Sequence, residues 1–280
     1  MKLRAPGKKP IILTAVRPSA AVESWYRAKL EKMIRLMDRS LMHWLRAAYR
    51  AHPHTTEDAA PTKVLHKKMT ALAKQWQKMF DNMSREMATK FANKALAYHD
   101  LSMGASLKKA GFSVNFQMTA PMKDALEAKI ADNIDLIRSI PRDHLADVQR
   151  RVMHSVQQGR SMKELTEDLH DIITTDHPGW SSSKVIRRAR LIARDQNNKA
   201  TSLFQKTRQK GFGITKAIWS HTAASKQPRE EHEEWNGEAY DVDEGMYSEV
   251  EEEQQWPGTA INCGCTSRSI IPGFDDEGDE

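Results

Sequence analysis

Two apolar stripes at helical spacing near the start of the chain constrain its fold most. From Ala20 to Arg50, the residues Tyr26, Leu30, Met33, Ile34, Met37, Leu41, Trp44, Leu45 and Ala48 recur at intervals of three and four. That spacing lines one face of an α-helix. After an interruption from His52-Pro53-His54 to Pro61, a second stripe follows: Leu65, Met69, Leu72, Trp76, Met79, Phe80, Met83, Met87 and Phe91. Two long amphipathic helices joined by a short polar loop bury their stripes most simply against each other. The spacing therefore predicts an antiparallel helical hairpin, with Gly104 and Gly111 ending it.

Shorter elements follow. Alternation and a proline make 112–121 extended. Leu126, Ile130, Ile134 and Ile137 mark one helix, and a second is expected from about Arg142 to Gln158, stopped by Gly159. Ser161 and Glu164 have capping-box spacing and open a helix expected to reach about Thr174. His177-Pro178-Gly179 reads as a turn. A long basic helix is expected from Ser181 to Gln209, ended by Gly211 and Gly213. Ile214 to His221 reads as a strand, and short apolar pieces, glycine turns and acidic runs fill the rest. The fold class is thus a mainly α N-terminal part, a long helical hairpin plus shorter helices, with a small α+β C-terminal domain. The expected divisions are a basic arm over 1–18, a hairpin domain over 19–110, a C-terminal domain over 111–273 and an acidic tail over 274–280.

Charge is distributed unevenly. From Arg229 to Glu280 there are 17 acidic and 2 basic residues, which leaves 41 basic and 20 acidic residues in 1–228. Such a basic body suits a polyanion or an acidic protein surface as partner, and it equally suits solvated helix faces. No apolar run approaches the roughly 20 residues that cross a bilayer. The first residues offer only Ile11-Ile12-Leu13 as an apolar stretch, so the expectation is an intracellular product. Lys184, Arg187, Arg188 and Arg190 on the basic helix are candidates for phosphate contacts that read no sequence. Trp180, Trp219, Trp235 and Trp256 are not interleaved with basic residues and read as packing anchors rather than base-stacking platforms.

Two cysteines, Cys263 and Cys265, exclude a disulfide framework. They flank one residue, so on an extended segment both thiols face the same side. With His232, and His221 as a further candidate, they supply the ligand types that hold tetrahedral Zn²⁺ in a closed structural site. The same cysteines serve equally as small buried residues, with His232 hydrogen-bonded to a carboxylate. Arg194 and Asp195 read as an ion pair, a contact to the β unit that follows, or an orienting group for Arg229. Acid–base chemistry by Asp195 with His232 is the catalytic alternative.

The motifs come in an order: Leu191-Ile-Ala-Arg194-Asp195-Gln196-Asn197, Gly211-Phe-Gly213, Trp219, Arg229-Glu-Glu-His232, Asn236-Gly237, Pro257-Gly258, then Asn262-Cys263-Gly-Cys265. This set resembles the phage Mu protein F-like family of minor head, or head morphogenesis, proteins. In that resemblance Arg194, Asp195, Trp219, Arg229, Gly237, Pro257 and Asn262 are the structural motif residues. Family members carry an Asp shortly before the Arg of R-x-x-H, whereas Ala223 to Pro228 holds no acid here, which argues for a structural domain. The resemblance implies a non-enzymatic minor capsid component of a tailed phage, made in the host cytoplasm and placed in the virion head near the portal. It implies a role in head assembly and in DNA packaging or delivery. The implied partners are the portal protein, major capsid or scaffold protein, and double-stranded DNA bound non-specifically. The alternatives are a metal-dependent nuclease or toxin-like enzyme using the His/Cys cluster, and a free DNA-binding protein.

Overall fold

A computed structural model describes residues 9–51, 59–159, 161–169, 171–173, 183–222 and 229–272. Expectations about 1–8, the loop at His52 to Thr56, the turn at His177, Trp180, the segment 223–228 and the acidic tail lie outside the described residues. The expected class is observed: long helices first, then a small α+β region.

The first stripe forms helix α1, Ala20–Ala51. Ser19 caps it, with its Oγ accepting from the Val22 N–H at 3.3 Å. Tyr26, Leu30, Ile34, Met37, Leu41 and Leu45 are buried along its inner face. Trp44 sits on the flank instead, 41% exposed, with Lys68 Nζ 4.4 Å over its ring. Helix α2, Ala59–Lys109, carries the second stripe. The Trp44–Lys68 contact joins the last part of α1 to the first part of α2, as an antiparallel hairpin requires.

Gly104 does not end α2. The helix runs through it, and any Cβ there would come 3.1 Å from the Phe116 ring. The end comes at Gly111, where the Gly111 N–H donates to Lys108 O and the Phe112 N–H to Leu107 O, a Schellman closure.

The helix marked by Leu126 to Ile137 and the one expected from Arg142 to Gln158 are one, α3, Ala120–Gln157, with Pro141 inside it. Proline lacks the N–H that the Ile137 carbonyl would accept. Burial of Ile137, Ile140, Leu145 and Val148 on both sides of it supplies the packing that carries a helix past such a defect. Helix α4, Met162–Leu169, has the expected capping box: Ser161 N–H donates to Glu164 Oε2 at 2.6 Å and Glu164 N–H to Ser161 Oγ at 3.3 Å. It stops short of Thr174. Helix α5, Lys184–Gly211, is the basic helix.

The strands are β1 Ile11–Ile12, β2 Lys216–Ser220, β3 Ala239–Asp241, β4 Met246–Ser248, β5 Glu253–Gln255 and β6 Thr266–Ile271, and α6 is the short helix Glu230–Glu234. An antiparallel sheet has the order β1-β6-β2-β3, and β4 pairs with β5 apart from it. The register sets Ala217 opposite Ser269 and Trp219 opposite Ser267, so these four share a face. That face carries a polar row against α5. Gln209 Nε2 donates to both Ser267 Oγ and Ser269 Oγ at 2.9 Å, Gln205 Nε2 to Ser269 Oγ at 3.1 Å, and Tyr240 OH to Ser267 Oγ at 2.7 Å. Part of the expected basic arm belongs to this sheet: Ile11 and Ile12 pair with Ile271 and Ile270, and Leu13 and Val16 are buried beside Met103, Leu107, Phe112 and Ile214.

Two compact units result. One comprises Met1–Glu23, Thr89–Ile130 and Arg194–Glu280; the other comprises Ser24–Ala88 and Ala131–Ala193. In the second, buried polar pairs tie α1 to α3: Tyr26 OH donates to Asn133 Oδ1 at 2.9 Å, and His144 Nε2 lies 2.6 Å from Asp38 Oδ1.

Candidate metal centre

The centre is built on one turn of α5. Asp195 Oδ1 accepts from the Asn262 N–H at 2.8 Å, and Arg194 Nη2 donates to Asn262 Oδ1 at 3.2 Å. Asn198, one turn on, donates from Nδ2 to Cys263 O at 2.8 Å. From the other side, Arg229 Nη1 donates to Ile261 O at 3.2 Å. The loop that carries the cysteines is thus held by its backbone. Asn262 sits at φ 57°, a left-handed conformation that asparagine tolerates better than most residues. Gly258, at φ +87°, approaches α5 so closely that a Cβ would meet Ser202 Cβ at 3.3 Å and Asn198 O at 3.4 Å. Gly237 turns the chain at φ +95° so that its N–H donates to Trp219 O at 2.8 Å. Pro257 is buried beside it in the motif order, just before Gly258.

Arg194 and Asp195 are therefore a contact to the β unit, and Asp195 Oδ2 is paired with Lys199 at 2.9 Å. Asp195→Ala leaves the Asn262 N–H and Lys199 without that carboxylate. The expected loss is about 1–3 kcal/mol of unfolding free energy, read from urea midpoints, with Asp195→Asn costing less because it keeps an acceptor.

Within this frame His232, Cys263 and Cys265 are all buried and bring one ligand atom each within 4.8 Å of one another. His232 Nδ1 lies 3.4 Å from Cys263 Sγ and 3.7 Å from Cys265 Sγ. The group could hold a metal. His221, at the end of β2, stands outside the three but adjoins them, with Nδ1 3.5 Å from Cys265 Sγ. The ring of His232 is fixed on its far side by Gln255 Oε1, 3.0 Å from Nε2. It packs against Trp219 at 5.0 Å between centroids and stacks on Trp235 at 5.3 Å.

A hydrogen bond from Cys265 pulls the Cys263 thiol down to about 4; burial opposes this, and His232 and the Cys265 N–H add to the pull. Cys265 is pushed up correspondingly by the hydrogen bond it shares with Cys263 and by burial. Burial works against a charged His232, yet its bond to Cys263 raises it above the ordinary imidazole value.

The structure thus brings Arg194, Asp195, Trp219, Arg229, His232, Gly237, Pro257, Asn262, Cys263 and Cys265 into one unit. The candidate phosphate-binding residues Lys184, Arg187, Arg188 and Arg190 of α5 belong to the other unit. Arg188 Nη1 pairs with Asp143 at 2.9 Å, Arg190 Nε with Glu31 at 2.7 Å and Lys184 Nζ with Asp147 at 3.6 Å. Phosphate binding by these three competes with those pairs, and Arg187 also has an interaction of its own. Among the described residues, Trp219 is fully buried, Trp235 packs edge-on against it at 4.7 Å, and Trp256 Nε1 donates to Val242 O at 2.9 Å. Sequence reasoning missed Asn198 and Gln255. The spacing of Asn198 four residues after Arg194 was a usable signal, while Gln255 had none.

Among the described residues, no helix is long and apolar enough to cross a membrane. Over 275 residues the chain is 25% identical to an uncharacterized protein of Haemophilus influenzae; the match covers 96% of this chain and 57% of that relative's length. No solved structure matches it. Residues 146–268 match the family described as Phage Mu protein F like protein, and this is the stretch in which the ordered motifs fold together.

Proposed function

We propose that the protein is a minor head protein of a tailed phage, seated at the portal vertex or in the head interior, where it serves head assembly and DNA packaging or delivery. The observation that carries this reading is the closure of the family's ordered motifs on one another, with the Asn262-Cys263-Gly-Cys265 loop clamped on the turn of α5 that holds Arg194, Asp195 and Asn198. These motif side chains hold backbone and pack, which is the work of a structural domain. The portal protein is its main partner, with major capsid or scaffold protein beside it. The excess of basic residues in 1–228 supports non-specific contact with packaged double-stranded DNA through phosphates. On the same reading the His/Cys/Cys group holds a structural Zn²⁺, since buried thiolate and imidazole ligands suit that ion.

Cross-linking mass spectrometry on heads purified from a phage that encodes the chain tests the assignment. Cross-links from this chain to portal protein are expected, together with fewer DNA-filled heads when its gene is deleted. Heads that lack the chain and fill normally would overturn the reading. Binding of free DNA without portal, falling steeply with salt, would favour a DNA-binding protein. Metal-dependent plasmid cleavage lost in His232→Ala would favour a nuclease.

A further inference from the structure

Three side chains converge in the centre, but a tetrahedral ion needs four donors. We propose that His221, through Nδ1, is the fourth protein ligand of a closed Zn²⁺ centre with Cys263, Cys265 and His232, an inference that rests on the Zn²⁺ reading above. Spacing supports this for three of the edges, although His221 stands outside the trio whose ligand atoms all lie within 4.8 Å of one another, so its ring closes on the ion when the ion binds. With Zn–S about 2.3 Å and Zn–N about 2.05 Å, tetrahedral geometry sets each S···N edge at about 3.6 Å. The edges from His232 Nδ1 to the two sulfurs are 3.4 and 3.7 Å, and that from His221 Nδ1 to Cys265 Sγ is 3.5 Å.

Hydrogen bonding alone accounts poorly for this arrangement. One Nδ1–H points along one line and serves one sulfur well, whereas two sulfurs stand at similar distance from the same nitrogen. An ion between them uses every lone pair at once. The Cys265 N–H already points at Cys263 Sγ, 3.4 Å away, a donor that stabilises a thiolate.

The outer contacts fit the same assignment for both imidazoles. A metal-ligating histidine directs its other ring nitrogen to an oxygen acceptor. For His232 that acceptor is Gln255 Oε1, 3.0 Å from Nε2. For His221, Nε2 is buried with no hydrogen-bond partner among the described residues, and Glu233 Oε1 lies 3.9 Å away. This orphaned nitrogen next to a carboxylate is the observation that singles out His221. Its backbone is already held in place, with the His221 N–H donating to Asn236 Oδ1 at 2.9 Å and Thr222 Oγ1 donating to Gly264 O. Four protein ligands leave no position for a water molecule, so the centre ties β2, α6 and the 263–265 loop together and does not activate a nucleophile.

X-ray absorption at the zinc edge of the intact, unmodified chain is the primary test, paired with metal analysis. The expected result is about one Zn per chain with two sulfur and two imidazole ligands. One imidazole and an oxygen would overturn the fourth ligand while leaving the Zn²⁺ reading in place. No zinc after refolding from chelator into Zn²⁺-containing buffer would overturn both. Cobalt substitution gives a second arm: His221→Ala should weaken Co²⁺ binding more than tenfold and alter its tetrahedral ligand-field bands. Unchanged affinity and bands would also exclude His221.

Discussion

Trp219→Ala is expected to cost about 3–5 kcal/mol of unfolding free energy, the range for a buried tryptophan cut back to alanine. Trp219 is 0% exposed on β2. Its ring meets Trp235 at 4.7 Å, His232 at 5.0 Å and Tyr240 at 6.1 Å between centroids, all edge-on. Each such pair adds to the area term. The cavity would open at the centre of the cluster formed with Ala217, Tyr240, Val242, Cys263 and Cys265, and β2 is clamped between β3 and β6, which limits its collapse. Chemical denaturation followed by far-UV circular dichroism measures the loss. Trp219→Phe should lose less, since most of the ring contacts survive. A loss under about 1 kcal/mol for the alanine variant would show that this cluster does not hold the C-terminal sheet together.

The second large effect is a pH dependence in metal-free protein. Cys263 has a folded value depressed to about 4, so its contribution is present at high pH and fades as pH falls toward that value. His232 has a raised folded value, so its contribution is fully present below the ordinary imidazole value near 6.5 and fades as pH climbs through the raised one. Between about pH 4 and 6.5 Cys263 makes the unfolded chain bind one proton more, while His232 is charged in both states; Asp100, Asp143, Asp147 and Glu231, also lowered in the fold, add to the difference only at the acid end. Stability should therefore rise across this window, at most about 1.4 kcal/mol per pH unit and about 3 kcal/mol in all. Immediately above it the two contributions oppose each other and the slope should flatten. Urea midpoints across this range check the sign, and Cys263→Ala should remove the rise above about pH 5.5, where the carboxylates are ionised in both states. A flat profile between pH 4 and 6.5 in metal-free protein would refute the thiolate at Cys263.

Much of this architecture was legible because it rests on local chemistry. The stripes of α1 and α2 follow from apolar spacing, and the start of α4 follows from a capping box whose two partners are three residues apart. The motif residues from Arg194 to Cys265 were legible as an ordered set, and so was the grouping of His232 with the two cysteines. What escaped depends on packing between distant segments. The spacing could not show that buried isoleucines carry α3 past Pro141, that Gly104 faces Phe116 inside a helix, or that Trp44 lies on an exposed flank. Gln255 gave no signal, because its contact with His232 arises only when β5 and α6 come together.

By itself the sequence determined the helical periodicities, the capping chemistry and the set of soft ligands, since each follows from side chains a few residues apart on a regular backbone. Tertiary structure alone decided that Ile11 pairs with Ile271, that α5 clamps the cysteine loop through Asp195 and Asn198, and that His232 comes within 3.4 Å of Cys263 and 3.7 Å of Cys265. Those outcomes depend on burial and on distances of 3–4 Å between groups far apart in the chain, where desolvation and hydrogen bonding act only after the fold has formed.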